Sequence, residues 1–293
     1  MRASMNLSLL MAALTTGGCA TAFQASRDYE FTCPWQEYRQ VEVRARNGDV
    51  ELRSAAVQAV SVSGTKYASG FTHADAEGAL DRLEIYAGPA EDRPECLLIE
   101  LRCPPDLLAR NAGARVAVVI PDRCPATVRT GNGDVRLSAV GGPVVAETSN
   151  GAIEICDVSG DVDATSSNGR IAIETVTGTV RAETSNGRIS AIGISGDCEL
   201  HTSNGRIRYQ AAPGTGGAVD LHTSNGSVHV TLPRSPSAQL DLRTTNGRVQ
   251  VDLPDTPMRN VEAGRTFFRA QVGDGAKPVT VRTSNGSITV DAL

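Results

Sequence analysis

Apolar and polar residues alternate along most of this chain, and the alternation recurs in register. One unit reads Val144-Val145-Ala146-Glu147-Thr148-Ser149-Asn150-Gly151-Ala152-Ile153-Glu154-Ile155, then Asp157-Val158-Ser159-Gly160-Asp161. The next two units place Val162, Ala164, Ile171, Ile173 and Val176, then Val180, Ala182, Ile189, Ala191 and Ile194, in the same slots. Alternation is the strand period, so each unit predicts two strands of about six residues. Asn-Gly joins them at one end, and Ser-Gly or Thr-Gly, at Gly160, Gly178 and Gly196, joins them at the other.

Asn-Gly occurs nine times. Asn132, Asn150, Asn168, Asn186 and Asn204 are each 18 residues apart, Asn225 and Asn246 follow at intervals of 21, Asn285 after 39, and Asn47 stands alone. A fixed period marks one supersecondary unit stacked many times. Both residues tolerate left-handed backbone, so the pair predicts a tight turn.

Two topologies satisfy the local pattern. A meander of hairpins would put every Val and Ile on one side of a long sheet, with nothing large enough to cover it. A coil that closes on itself buries its own apolar side, with two layers about 10 Å apart filled by Val, Ala and Ile. The expected fold is therefore all-β: a single-domain, β-helix-like solenoid of coils of about 18–21 residues, with one short helix near its N-terminal end.

Residues 41–122 are less regular but read as the start of the same body. Asn47-Gly48-Asp49-Val50-Glu51-Leu52 repeats the later motif, and Val60-Ser61-Val62 continues it. Thr72 is the expected N-cap of a helix running to about Leu83. That helix is expected to cap the open N-terminal end of the solenoid. Leu83-Glu84-Ile85, Leu97 to Leu101 and Val116 to Ile120 read as strands. The sequence finishes on a motif strand at Asp291-Ala292-Leu293. An uncovered strand there predicts an exposed edge and end-to-end homo-association.

The first residues read as an address. Arg2 precedes an apolar run from Leu7 to Leu14 that is too short to span a bilayer. Thr16-Gly17-Gly18-Cys19 then resembles a bacterial lipobox, with Thr16 where an aliphatic residue is usual. That resemblance implies a signal peptide over 1–18, lipidation of Cys19, a membrane contact through the lipid anchor, and a cell-envelope, outer-membrane or cell-surface location. The alternative is an ordinary signal peptide cut near Ala22. Residues 19–40 carry no repeat and read as a tether, leaving 41–293 as the body.

Composition changes the picture little. A net charge of -5 gives no reason to expect nucleic acid as a partner, and aromatics at 4% suit thin sheets. Six cysteines follow Cys19. Cys198 occupies the slot of Val144, Val162, Val180 and Val219 and reads as a small buried hydrophobe. Cys156 lies two to three coils from it, too far to pair at about 4.8 Å per strand. Cys33, Cys96, Cys103 and Cys124 remain as the bridging set, with Cys103–Cys124 the favoured disulfide.

No catalytic constellation, metal site or cofactor site is found. His201 and His222 share one slot and are expected to stack on adjacent coils, as solvated side chains or as a weak metal contact. Asp161 and Asp197 share a corner slot with Thr179 between them, which breaks any carboxylate ladder for calcium. Arg170, Arg188 and Arg206 follow Asn-Gly in three successive units and Arg248 returns later, forming a basic row beside a Ser-Asn ladder. That row is the candidate binding surface for polyanionic envelope polymers, or for polar sugars through the hydroxyl and amide groups, against the alternative of a solvated edge. The coil face as a whole is expected to meet envelope polysaccharide or another protein.

Val118-Val119-Ile120-Pro121, then Gly131-Asn132-Gly133-Asp134-Val135, then repeated Thr-Ser-Asn-Gly-x-Ile units resemble the bacterial putative adhesin domain family over about residues 41–293. The resemblance implies an exported, envelope-associated β-solenoid and brings no catalytic residues. Three functions compete. They are a non-enzymatic envelope protein that adheres or binds through its coil surface, a structural protein that polymerises end to end, and a glycan-active enzyme. The enzyme needs clustered acids or bases and aromatic platforms for sugar, and the single Trp lies outside the repeats.

Overall fold

In a computed structural model, which describes residues 23–293 except 36, 108–110, 215 and 255, the alternating segments form parallel coils rather than hairpins. Val144, Val162, Val180, Cys198 and Val219 stand side by side on successive parallel strands. Ile153, Ile171, Ile189, Ile207 and Val228 do the same on a second set. These slots are buried almost completely, and each such side chain contributes about 1.5–3 kcal/mol. The chain divides into two compact units between Gly141 and Gly142.

The first unit contains β1 (Phe23–Pro34), β2 (Gln40–Asn47), β3 (Val50–Ala55), β4 (Ala59–Gly70), α1 (His73–Asp81), β5 (Glu84–Pro89), β6 (Cys96–Arg102), β7 (Gly113–Pro121), β8 (Ala126–Asn132) and β9 (Val135–Ser138). Within it the strand orders are β1-β4-β7-β3-β9 and β5-β6-β2-β8. The coil made by β2 and β3 therefore lies between strands that follow it in sequence. Thr72 is the N-cap of α1, its hydroxyl accepting from the Asp75 amide at 3.1 Å, as the capping pattern requires. α1 buries Ala76, Ala79 and Leu80 and packs on β4 and β1.

The stretch expected to be a tether holds β1, which pairs antiparallel with β4 along its whole length. Ala25, Tyr29 and Cys33 are buried, and the Tyr29 hydroxyl donates to the Arg115 carbonyl at 3.0 Å. This strand has no Asn-Gly, so a reading anchored on that motif passes over it.

The second unit contains β10 (Val144–Asn150), β11 (Ile153–Val158), β12 (Val162–Ser166), β13 (Ile171–Val176), β14 (Val180–Thr184), β15 (Ile189–Ile194), β16 (Cys198–Thr202), β17 (Ile207–Ala211), β18 (Val219–Thr223) and β19 (Val228–Leu232). It continues with β20 (Ala238–Thr244), β21 (Val249–Asp252), β22 (Met258–Ala263), β23 (Phe267–Val272), β24 (Lys277–Thr283) and β25 (Ile288–Ala292). One sheet runs β11-β13-β15-β17-β19-β25-β21, the other β10-β12-β14-β16-β18-β24-β20-β23-β22.

Stacking order and sequence order part company at the end. β25 is paired on both sides, by β19 and β21, and β24 lies between β18 and β20. The exposed edge expected at Asp291–Leu293 is therefore absent, and with it the basis for end-to-end association through that strand. Beyond the inserted coil the sheets finish at the four-residue β21 and at the antiparallel β22–β23 pair. A short edge and an antiparallel flap are ordinary ways to blunt a sheet edge.

Candidate functional site

The repeated Thr-Ser-Asn-Gly-x-Ile motif is a corner in which each residue has a separate task. The Asn side chains form a ladder: Asn168 donates its amide to Asn150 at 2.9 Å, Asn186 to Asn168 at 2.9 Å, Asn204 to Asn186 at 3.0 Å and Asn225 to Asn204 at 2.8 Å. The residue two before Asn is buried, and its hydroxyl donates to the Gly carbonyl of the neighbouring coil. Thr184 does so to Gly169 at 3.1 Å, Thr202 to Gly187 at 3.0 Å and Thr223 to Gly205 at 2.9 Å. Polar groups buried at the corner are thereby satisfied.

The Gly is required for a reason other than the expected one. Among the nine Asn-Gly pairs only Gly48 has a left-handed φ, of 126°. In the second unit the constraint is space, since a Cβ on Gly187 would stand 1.9 Å from the Gly169 carbonyl oxygen. The left-handed residue sits elsewhere. Ala139, Asp157, Thr175 and Gly193, each seven positions after an Asn, have φ of 54°, 57°, 57° and 73°.

At the opposite corner Asp161 accepts from the Thr179 amide at 2.8 Å and Asp197 from the Ala218 amide at 2.7 Å. These carboxylates hold backbone of the next coil. Among the described residues no group of three His, Cys, Asp or Glu side chains is placed to hold a metal ion. His201 and His222 do stack, with ring centroids 4.8 Å apart. Burial, then the neighbouring His201, hold the His222 pKa below its ordinary value.

The arginine row is placed by the same stacking. Arg170, Arg188 and Arg206 each give their carbonyl to the amide of Ile153, Ile171 and Ile189, so the three share one slot on adjacent coils. All three side chains are exposed. Arg170 pairs with Glu154, and Arg206 donates through Nε to the Ser227 hydroxyl at 3.0 Å. Because the last coil is inserted, Ser227 and Ser287 separate Arg206 from Arg248 in the row. Arg248 is three strands from Arg206, about 14 Å at 4.8 Å per strand.

The favoured disulfide is corrected. Cys33, Cys96, Cys103, Cys124, Cys156 and Cys198 are all free. Cys103 follows the C-terminal end of β6 and Cys124 precedes the N-terminal end of β8, and both strands run parallel to β2 on either side of it. The two cysteines thus lie at opposite ends of the sheet, roughly 25 Å apart along the strands at about 3.3 Å per residue, far beyond bridging distance. Cys198 is buried as expected, which pushes its thiol pKa up. Cys19 lies outside the described residues.

Two charged clusters have no counterpart in the sequence reading. The Glu42 carboxylate, with a side chain only 1% exposed, accepts from Arg44 at 2.7 Å, from Arg129 at 2.8 Å and from Arg93. Asp241 accepts from Arg282 at 2.7 Å, Arg243 at 3.2 Å and Arg269 at 3.4 Å. Most of these partners are tens of residues away in sequence, so no local pattern announces them.

The geometry defines a repeat-built coil protein whose motif residues hold its corners. Residues 111–291 match the family model described as Toastrack DUF4097. That is more than half of the chain, and the chain belongs to this family.

Three solved structures are similar at low identity. A putative cell adhesion protein from Clostridium sporogenes is 9% identical, with 93% of this chain and 100% of that one covered and a TM-score of 0.27. A putative adhesin from Bacteroides fragilis is 11% identical, with 94% and 100% covered and a TM-score of 0.34. A putative lipid binding protein from Parabacteroides distasonis is 13% identical, with 92% and 96% covered and a TM-score of 0.33. A search of curated proteins finds no match.

Proposed function

We propose that this is a non-enzymatic, exported cell-envelope protein, held to the membrane by a lipid on Cys19, that binds anionic envelope polymer through its arginine row. The observation that carries the reading is the shared slot of Arg170, Arg188 and Arg206 on three adjacent coils. It spaces the backbone origins of three exposed arginines at about one strand separation, 4.8 Å. A flexible surface would scatter such charges. Here the backbone stacking fixes their origins, so a polyanion can engage several at once, with charge-assisted bonds to carboxylate or phosphate groups. Arg248, beyond two serines, extends the row without being continuous with it.

The test is charge reversal. Replacing Arg170, Arg188 and Arg206 together by Glu should abolish binding of the mature protein to purified surface polysaccharide and to cells. Unchanged binding would sink the reading. Cys19→Ala, followed by palmitate labelling and membrane fractionation, tests the anchor separately.

A further inference from the structure

We propose that an open cleft on the outer face of the first unit binds a phosphate-bearing ligand. The cleft has a volume of about 790 Å³, within the range of small-molecule sites. Its charged lining is Arg44, Arg46, Arg82 and Arg102 against Glu84 and Glu100, with Glu42 and Asp106 pairing Arg44 and Arg82 from beside it, so the positive charge of the cleft is centred on Arg46 and Arg102.

Sheet register gathers these groups. Glu100 lies opposite Arg44 where β6 pairs with β2, and Glu84 lies opposite Arg102 where β5 pairs with β6. Arg46 and Arg102 are two residues beyond Arg44 and Glu100, so all four project from the same face. Gly131, which also lines the cleft, adds no side chain beside Arg46.

Three of the guanidiniums are held in place before any ligand arrives. Arg44 donates through Nε to the buried Glu42 at 2.7 Å. Arg102 lies 3.8 Å over the Tyr86 ring and donates through Nε to Glu100 at 3.3 Å. Arg82 grips Asp106 with both terminal nitrogens, at 2.7 and 2.6 Å. Arg46 is exposed and its side chain makes no ion pair or hydrogen bond among the described residues. A single guanidinium fork satisfies a carboxylate, whereas Arg46 and Arg102, on neighbouring positions of separate strands and lining one cleft, suit the several oxygens of a phosphate. Positioning by partner groups lowers the ordering cost of binding.

The test is titration calorimetry of the mature protein with inorganic phosphate at low ionic strength, with glucuronate as the carboxylate comparator. One saturable phosphate site is expected. Arg46→Gln with Arg102→Gln should weaken it about tenfold or more, while the Arg170, Arg188 and Arg206 reversal should leave it unchanged. The two surfaces thus fail independently. Glycerol phosphate and phosphatidylglycerol vesicles, set against phosphatidylcholine vesicles, separate a soluble or polymer phosphate from a lipid headgroup. Either source satisfies the proposal if the Arg46 and Arg102 substitutions remove it. In the unaltered protein, phosphate should also protect Arg46 and Arg102 from phenylglyoxal. Absence of a saturable site, equal loss in the row variant, preference for glucuronate, or no protection would each overturn it.

Discussion

The Asn285 amide donates to the Asn225 side chain at 2.8 Å, across 60 residues of sequence, and Asn246 donates to Asn285 at 2.9 Å. The last coil is thus a wedge between two coils made before it. Removing residues 274–293 takes β24 and β25 out of the middle of both sheets, leaving β20 and β21 with no parallel partner. Amide protection should then disappear over 238–272 as well, while β10 to β17 stay protected, because stacked repeats draw their stability from nearest neighbours. A stack in sequence order would lose only its final coil. Hydrogen exchange on the truncated chain decides between them, and persistent protection over 238–252 would refute the wedge.

Gly187→Ala should destabilise the protein by about 3 kcal/mol or more, because the added Cβ meets rigid backbone rather than a movable side chain. Gly216→Ala is the control. No atom lies within 4 Å of its Cβ position, so the change should be neutral or mildly stabilising through the unfolded chain. Urea midpoints of the two variants should separate clearly, and equal midpoints would show that corner spacing is not the constraint.

Thr175→Gly should stabilise the protein by about 1 kcal/mol. Thr175 is β-branched and held at φ 57°, a conformation that costs about 1–2 kcal/mol for such a residue. Part of the gain is offset by the greater freedom of Gly in the unfolded state. Gly193 already occupies the equivalent slot one coil later. A lower thermal midpoint for the variant would mean that the Thr175 side chain contributes more than its backbone strain costs.

Much of this was legible in the sequence and some of it was not, for physical reasons. Alternation and the Asn interval reveal strands, coils and the shared slots of Cys198, His201 with His222, and the three arginines, because those follow from local period alone. The wedge is invisible because identical motifs allow any coil to stack on any other. Cys103 and Cys124 look bridgeable until sheet order puts them at opposite strand ends. Of the left-handed slot Gly193 and, more weakly, Asp157 leave a trace, whereas Ala139 and Thr175 carry no such signature. Of Glu42's partners, Arg93 and Arg129 stand 51 and 87 residues away.

Glu42 should make stability depend on pH in a defined window. Burial pushes its carboxyl pKa up, but hydrogen bonds from Arg44 and Arg93 outweigh burial and hold it below the ordinary value. A folded-state pKa below the unfolded one means the unfolded chain binds more protons between the two. The contribution is therefore complete above the ordinary glutamate value and is lost as pH falls through the folded pKa. Glu42→Gln leaves a similar shape but three arginines without their carboxylate. Because those arginines are partly exposed, the cost at pH 7 should be about 1–3 kcal/mol, below that of a fully buried broken pair. Asp241, also held low by its arginines after burial is offset, titrates in both proteins and cancels in the comparison. The stability gap between wild type and Glu42→Gln, measured by urea unfolding from pH 7 towards pH 3, should narrow as pH falls. A gap constant across that range would show that Glu42 acts through packing rather than through its charge.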